Sequence, residues 1–535
     1  MPLIIAELKL PLQAEESSLN QIAARALGVG ESDLRSLILR RSSLDARKKQ
    51  DIFFSCTVEV TLSGKLEAAL LQKGLRNVSE ACFAPPVEPE LGECPLPAPI
   101  IVAGMGPAGL FAAYQLANYG YRPILLERGE AVEARSRAVE GYFSGAGLNE
   151  QSNVMFGEGG AGTFSDGKLT TRIKDPRAHT VLDILAQFGA PQGIRTAAKP
   201  HIGTDKLIQT VRNMRLEILR LGGDIRFGAQ LTGIEQKDGR VCAVRVLHAG
   251  KEDMIPCAAC ILATGQGARD TYQLLYDMGL ELQQKEFAVG VRVEHPREVI
   301  DAAQFGAMAG HPRLGAAEYH LAGRQGDRGV YTFCMCPGGV VIASASGAMQ
   351  VVTNGMSDFA RGAAQSNAAI VVQVRAGDYR SAHPLAGLRF QQELEQAAWR
   401  LGGGDGTAPA QRICDFMANS AQSSFGAVRP TYRPGVRAES LQRCLPDFVA
   451  QGIREGILQF GRKLHGFGMG DAVLTAVESR TSAPVRIVRQ EDGQATRLKG
   501  LYPVGEGAGY AGGIVSAAVD GLRAAQRLMA LYRPA

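Results

Sequence analysis

Between Pro99 and Gly129 the chain reads PIIVAGMGPAGLFAAYQLANYGYRPILLERG, and this stretch constrains the fold more than any other. An apolar run ends in glycines at the G-x-G-x-x-G spacing, Gly104, Gly106 and Gly109, with Pro107 and Ala108 inside the same turn. Small and apolar residues at helical spacing follow, and a second apolar run closes on Glu127 and Arg128. The pattern predicts strand, tight turn, helix and parallel strand, a βαβ unit whose helix N-terminus offers free N–H groups and a positive dipole end to an anion. Glycines at this spacing let the backbone approach a pyrophosphate, and Glu127, 23 positions after Gly104, stands near the expected distance of about 20 for an acid that binds a ribose hydroxyl.

The motif begins a hundred residues in because another module precedes it. At 535 residues the chain has room for about three domains. Residues 1–83 read as a small α+β unit: strand-like LIIAELKL, a helical stretch from Glu16 to Leu27, then two β-rich runs, LRSLILRRS and DIFFSCTVEVTL, separated by the turn-like SSLDARKKQ. Residues 84–98 are proline-rich and aperiodic, a linker of semi-rigid type. The N-terminal unit carries six basic side chains, Arg35, Arg40, Arg41, Arg47, Lys48 and Lys49, which raise RNA association as an alternative role. Against it, a basic hairpin is more often a solvated or interdomain face, and Phe53 and Phe54 are the only aromatics near enough to stack on bases. A net charge of +5 is too mild to single out a nucleic-acid or membrane partner. No apolar run approaches the roughly 18 residues of a membrane span. Ten cysteines lack the density of a disulfide scaffold, and a reducing cytoplasmic setting is the default.

Beyond the first βαβ unit the chain does not continue as a doubly wound dehydrogenase. GEGGAGTFSDGKLTT (157–171) reads as a glycine-rich loop, and 222–265 as a β-meander broken at KDG and HAG that ends in an apolar strand at Ala263-Thr264-Gly265. Near the C-terminus, LYPVG runs into Gly505 and Glu506, and a second glycine turn, Gly512-Gly513, opens a helix at Ile514 that contains Asp520. Together these segments resemble the FAD-binding fold of glutathione-reductase-like flavoproteins. More narrowly, GEGGAGTFSDGKL, FCMCPGG, FGAVRPTYRPG and ESRTSAPVRI resemble a bacterial family of FAD-dependent dehydrogenases, or NAD(P)/FAD-dependent oxidoreductases.

The resemblance implies bound FAD. Its contacts would come from the first glycine turn with Glu127 and Arg128, and from Gly159, Gly160, Gly162, Thr163, Ser165, Gly167 and Lys168 of the loop, with Glu158 and Asp166 beside them. Leu231 and Ala263–Gly265 of the meander, and Gly505, Glu506 and Gly512–Ile514, would complete the site. Where many relatives carry Asp, this chain has Glu506. The implied fold is α/β: a discontinuous Rossmann-like FAD domain (99–285 and 426–535), an inserted β-rich α+β substrate domain (286–425) and the small N-terminal α+β domain.

The expected function is hydride transfer between flavin N5 and a small organic substrate. LGGGDG (401–406) follows no apolar strand and reads as a loop, so NAD(P)H, if used, would be a transient donor without a Rossmann domain of its own. Cys334 and Cys336 lie two apart in a strand-like run and share a face, which makes them candidates for redox chemistry or for packed thiols; Lys168 is the third catalytic candidate. Cys257 and Cys260, three apart leading into a strand, are expected on opposite faces and in the core. Arg292, Arg429, Tyr432, Glu478 and Arg480 are candidates for orienting a polar or anionic substrate. His295, His311, His320 and His383 have no zinc-type partner spacing, and no metal is expected.

Overall fold

The computed structural model describes residues 2–82, 88–420 and 424–534. The expected linker therefore lies partly outside the described residues, at 84–87.

In the N-terminal domain, strands Leu3–Pro11, Ser36–Asp45, Phe53–Thr61 and Val78–Glu80 alternate with helices Leu19–Leu27 and Gly64–Gln72. The spatial order, second, third, first, fourth, makes this a βαββαβ sandwich of ferredoxin-like topology. The last helix and the three-residue edge strand escape the sequence reading; the strand is too short to show periodicity.

The basic side chains of this domain stay exposed, while its backbone and apolar edge dock on the rest of the chain. Arg40 pairs with Glu59 and Arg47 with Asp45. Ser42 exchanges backbone hydrogen bonds with Thr196 and Ala198, both at 2.8 Å, and the stem of Lys49 lies over Gly306. Arg313 covers the Phe54 ring at 4.8 Å and donates to Leu12 O at 2.9 Å, while Leu12 and Ile52 join the large core of the substrate domain. The docking uses backbone, apolar side chains and the Phe54 ring, while the basic side chains stay exposed, and nothing among the described residues supports the RNA alternative.

The nucleotide-type domain is built on a five-stranded parallel sheet in the order Leu501–Pro503, Ala259–Leu262, Ile100–Ala103, Ile124–Glu127, Asp224–Phe227. Helices Pro107–Asn118 and Ile514–Met529 cross against one face so closely that a Cβ on Gly521 would sit 2.0 Å from Ala108 O. The meander Ala229–Lys237, Arg240–His248, Lys251–Pro256 forms a separate antiparallel sheet. Cys257 precedes the Ala259–Leu262 strand, so the expected opposition of Cys257 and Cys260 does not arise, and both pack into one apolar cluster.

The substrate domain holds a seven-stranded sheet, ordered Ala322–Gln325, Arg328–Cys336, Gln365–Val374, Phe287–Pro296, Val473–Glu478, Ala408–Arg412, Val436–Ala438. Two of these strands, Val436–Ala438 and Val473–Glu478, follow residue 425. The sheet thus runs to Glu478, past the boundary the sequence pattern suggested, because the central strand Phe287–Pro296 pairs directly with Val473–Glu478. Helix Asp447–Lys463 packs on this sheet, and Ala386–Gly402 packs against its Ala408–Arg412 end.

Candidate functional site

A cleft runs between the C-terminal ends of the parallel strands, the meander and the 155–162 loop. Its floor is the first glycine turn. Gly104 takes φ +101, and a Cβ there would lie 2.4 Å from Ala263 O, so only glycine lets the two strand ends sit side by side. Gly106 caps the Pro107–Asn118 helix, and Gly160 approaches so near that its Cβ would be 2.8 Å from Gly106 Cα.

At the other end, Gly505 and Glu506 lead to the Ile514–Met529 helix, capped by Gly513 at φ +98 and ψ 172. No atom lies within 4 Å of where a Cβ on Gly265, Gly512 or Gly513 would stand. The Gly505 turn is fixed from behind: Asp520 Oδ2 accepts from Gly505 N at 2.8 Å, and Arg489 holds Asp520 at 2.8 Å. Two helix N-termini, backbone brought within van der Waals limits by glycine, and a narrow cleft between them fit a dinucleotide with two phosphates. Because Gly513 occupies a region open only to glycine, Gly513→Ala should lose on the order of 1 kcal/mol in denaturant unfolding of cofactor-free protein. An unchanged midpoint would refute that assignment of strain.

Most of the expected binding residues line this cleft: Gly104, Gly106, Pro107, Ala108, Glu127, Arg128, Gly160 and Gly162 at one end, with Leu231, Ala263, Thr264, Gly265, Gly505, Glu506, Gly513 and Ile514 towards the other. Glu127 is buried, and its oxygens accept from Met105 N (2.8 Å), Gly129 N and Gly157 N (both 2.9 Å), tying three loops together at the cleft wall. Arg128 stacks on Phe156 at 4.4 Å and pairs with Asp270.

Seven expected residues stand off the lining. Gly109 serves packing, since a Cβ there would meet Gly104 O at 1.9 Å. Gly159 donates to Met105 O, Thr163 Oγ1 donates to Glu158 O, and Ser165 accepts from Gly167 N at 3.0 Å, so these four shape the loop from behind. Gly512 N donates to Ser516 Oγ at 3.1 Å. Lys168 points instead toward the substrate domain, 3.4 Å from Asp166.

Sequence spacing gave no hint of Met155, Phe156 or Gln266, which also line the cleft. Gln266 Nε2 donates to Glu506 Oε1 at 2.7 Å and to Arg480 O at 3.0 Å, while among the described residues its Oε1 has no partner. Burial pushes the Glu506 carboxyl up to about 7, against the pull of Lys285. Glu158 is fully buried, accepts from Val132 N at 2.7 Å and pairs with Arg215 at 3.0 Å.

The residues expected to orient a substrate are largely committed within the chain. Arg292, with no exposed surface, makes a two-point pair with Glu478 at 2.9 and 3.1 Å and donates to Asn367 Oδ1 and Cys334 O, both at 2.9 Å. Arg480 and Arg269 share Glu395, whose carboxyl burial would raise but the two guanidiniums hold at about 2. Tyr432 donates to Gly406 O, while Arg429 is exposed and contributes only its backbone carbonyl, to Gln365. The reason is desolvation: arginines this deep need a carboxylate of the same chain to be stable there. Asp166 belongs to the same layer; burial would raise it, but Lys168 and Arg361 bring it to about 2, and Arg361 also holds Glu318 at 2.8 Å. The predicted substrate forks are therefore mostly committed within the inserted domain, and the ion pairs Arg269–Glu395 and Asp166–Arg361 pin that domain over the cleft.

A discontinuous dinucleotide cleft under an inserted β-sheet domain defines a flavoprotein class, and comparison with known proteins agrees. The model of the FAD-dependent protein C-terminal domain-like family matches residues 286–481, and that of a domain of unknown function matches residues 1–61. The chain belongs to the FAD-dependent oxidoreductase-like family. An uncharacterized protein of Clostridium beijerinckii is 44% identical over 99% of both chains. Among solved structures, a geranylgeranyl bacteriochlorophyll reductase-like protein from Thermoplasma acidophilum is similar at 12% identity and TM-score 0.35, over 80% of this chain and 77% of that one. The OxyS anhydrotetracycline hydroxylase from Streptomyces rimosus is similar at 17% identity and TM-score 0.24; the match covers 53% of this chain and about half (48%) of that one. The family match at 286–481 runs from the strand Phe287–Pro296 to just past Val473–Glu478. Among the described residues, no helix is long and apolar enough to cross a membrane.

Proposed function

We propose that the protein is a FAD-dependent oxidoreductase acting on a small organic molecule admitted between the cleft and the inserted domain. The observation that carries this reading is the convergence of segments 103–108, 263–267 and 504–514 on one cleft with a helix N-terminus at each end. Bound FAD would supply hydride exchange with the substrate at flavin N5. The chain supplies the rest. N–H groups at the start of Pro107–Asn118 face the phosphate side, with Glu127 beside them for a ribose hydroxyl. The start of Ile514–Met529 offers a positive dipole end, and Glu506 holds a proton near neutral pH at that end of the cleft. Both glycine turns of the five-stranded sheet, Gly104–Gly109 and Gly505–Gly513, open on this same cleft, so a nicotinamide donor would have to dock transiently.

Purified protein is expected to be yellow, with a flavin spectrum and releasable FAD. Anaerobic addition of NADH or NADPH should then bleach the flavin band if a nicotinamide is the donor. A colourless preparation that takes up no added FAD would sink the proposal. A yellow protein that neither nucleotide reduces would keep FAD and assign the donor to another class.

A further inference from the structure

Cys334 and Cys336 sit where the substrate-domain sheet leaves regular pairing. The ladder to Gln365–Val374 runs from Val330↔Val372 to Phe333↔Ala369 and then slips to Cys336↔Asn367. Cys334 takes φ +42, a left-handed backbone uncommon outside glycine and costly unless its surroundings enforce it. In an even strand, residues two apart stand about 6.6 Å from one another, too far for the Cβ separation of about 4 Å that a disulfide needs. At the slip the pair meets instead: Cys336 Sγ donates to Cys334 O at 3.5 Å.

The two sulfurs are not equivalent. Cys336 is fully buried, and Cys334 is partly exposed. Cations surround them. Arg292 donates to Cys334 O, and among the described residues Lys168 Nζ is a buried ammonium with no hydrogen-bond partner. Asn367 has no exposed surface, and its Nδ2 also lacks a partner among the described residues. The other ionisable groups near the pair are Asp166, Glu318 and Glu478, together with Glu506 of the cleft. The neighbouring Cys336 thiol first, then Arg292 and Lys168, favour the thiolate at Cys334 against its burial.

We infer that Cys334 and Cys336 form a redox-active dithiol beside the cofactor cleft, with Cys334 as the accessible thiol and Cys336 as the buried one that closes the bond. The inference rests on the FAD reading for its electron acceptor. Closing the Cys334–Cys336 bond removes two electrons and two protons from the thiols. Oxidised flavin takes the electron pair with one proton, and the second proton leaves to solvent. Reduced flavin returns the pair by the reverse step. The couple stores a second pair of electrons next to the first.

The test uses the full-length protein, oxidised with diamide or reduced with dithiothreitol, then alkylated and mapped by mass spectrometry. Oxidised wild type should lose two alkylatable thiols, with the new bond mapped to Cys334–Cys336. Cys334→Ser and Cys336→Ser, with wild-type circular dichroism, should not form it. In Cys336→Ser the remaining Cys334 should be the fastest thiol to alkylate at pH 7, and adding Lys168→Met should slow it about tenfold. FAD-loaded wild type should take up two more electrons than either cysteine variant in an anaerobic dithionite titration. If no Cys334–Cys336 bond maps in oxidised wild type, the dithiol is overturned. Equal electron uptake by wild type and variants overturns its coupling to the flavin. A bond that forms in protein unable to take up FAD removes the acceptor through failure of the FAD reading, not of the thiols.

Discussion

Arg135→Met should cost about 3–5 kcal/mol in stability and weaken FAD binding with it. Arg135 sits on the Val132–Phe143 helix with no exposed surface, and its guanidinium donates to four backbone carbonyls: Asn153, Val154 and Gly160 at 2.9 Å, and Glu158 at 2.5 Å. Its cation also lies over the Phe164 ring at 4.8 Å. These carbonyls belong to the loop that walls the cleft, and no helix or strand runs through 153–158 to hold that backbone. The side chain is thus the loop's internal scaffold. Gly157, at φ +117, is glycine because a Cβ there would lie 2.4 Å from Arg135 Cδ.

Methionine keeps the bulk and removes every donor, so the carbonyls lose their partners in a site closed to water. Burial already lowers the guanidinium to about 10, with Glu127 and Glu158 pulling the other way; the loop holds a strained but indispensable cation. Equilibrium denaturation with and without excess FAD measures the effect. A loss below about 1 kcal/mol would show that the loop is held by other means.

Arg135 also shows where sequence reading stops. VEARSRAVEGYF gives no sign of which arginine faces inward, since an arginine on a short polar helix is normally a surface residue. The glycine positions were legible for the opposite reason. At Gly104, Gly106 and Gly513 the backbone must approach another strand, another loop or the cleft, and those demands appear directly as glycine at fixed spacing. Glu127, Ala263–Gly265 and Glu506 were legible as strand ends. Phe156 and Gln266 were not: Phe156 reaches the cleft from a loop held by the buried Arg135, and Gln266 from a loop held by Arg480 and Glu506, more than 200 positions away in sequence. The end of the substrate domain was hidden by order of assembly. Its last strands are short and separated by helices, and only the ladder from Gly290 to Glu294 onto Val473–Glu478 reveals that they close the same sheet.

Glu506→Gln should flatten a pH dependence that wild type carries between about pH 4.5 and 7. The folded carboxyl is raised from its usual 4.5 to about 7, chiefly by burial, so the native state binds a proton that the unfolded chain releases. The favourable contribution is complete below the unfolded value and is lost as pH rises through the folded one, because ionisation then occurs in a desolvated site. A shift of this size corresponds to about 3 kcal/mol across the window. Glutamine keeps the shape and can still accept from Gln266, but it does not titrate. The stability of Glu506→Gln relative to wild type should therefore climb by about that amount from pH 5 to pH 8, measured on FAD-free protein by denaturant unfolding. Comparing the two proteins cancels other titrating groups, including Glu294, which burial also raises to about 7. A difference that stays level with pH would mean that Glu506 ionises freely in the fold. The same proton ties this carboxyl to the chemistry proposed for the cleft. Glu506 accepts from Gln266, and the Gly513 backbone favours its ionised form, so its charge stands at the N-terminus of the Ile514–Met529 helix. Protonated, it leaves the positive end of that helix available to an anionic group in the cleft; ionised, it competes for it. The variant should accordingly lose the pH dependence of FAD affinity over the same window, a change that ultrafiltration at pH 5.5 and pH 8 would read directly.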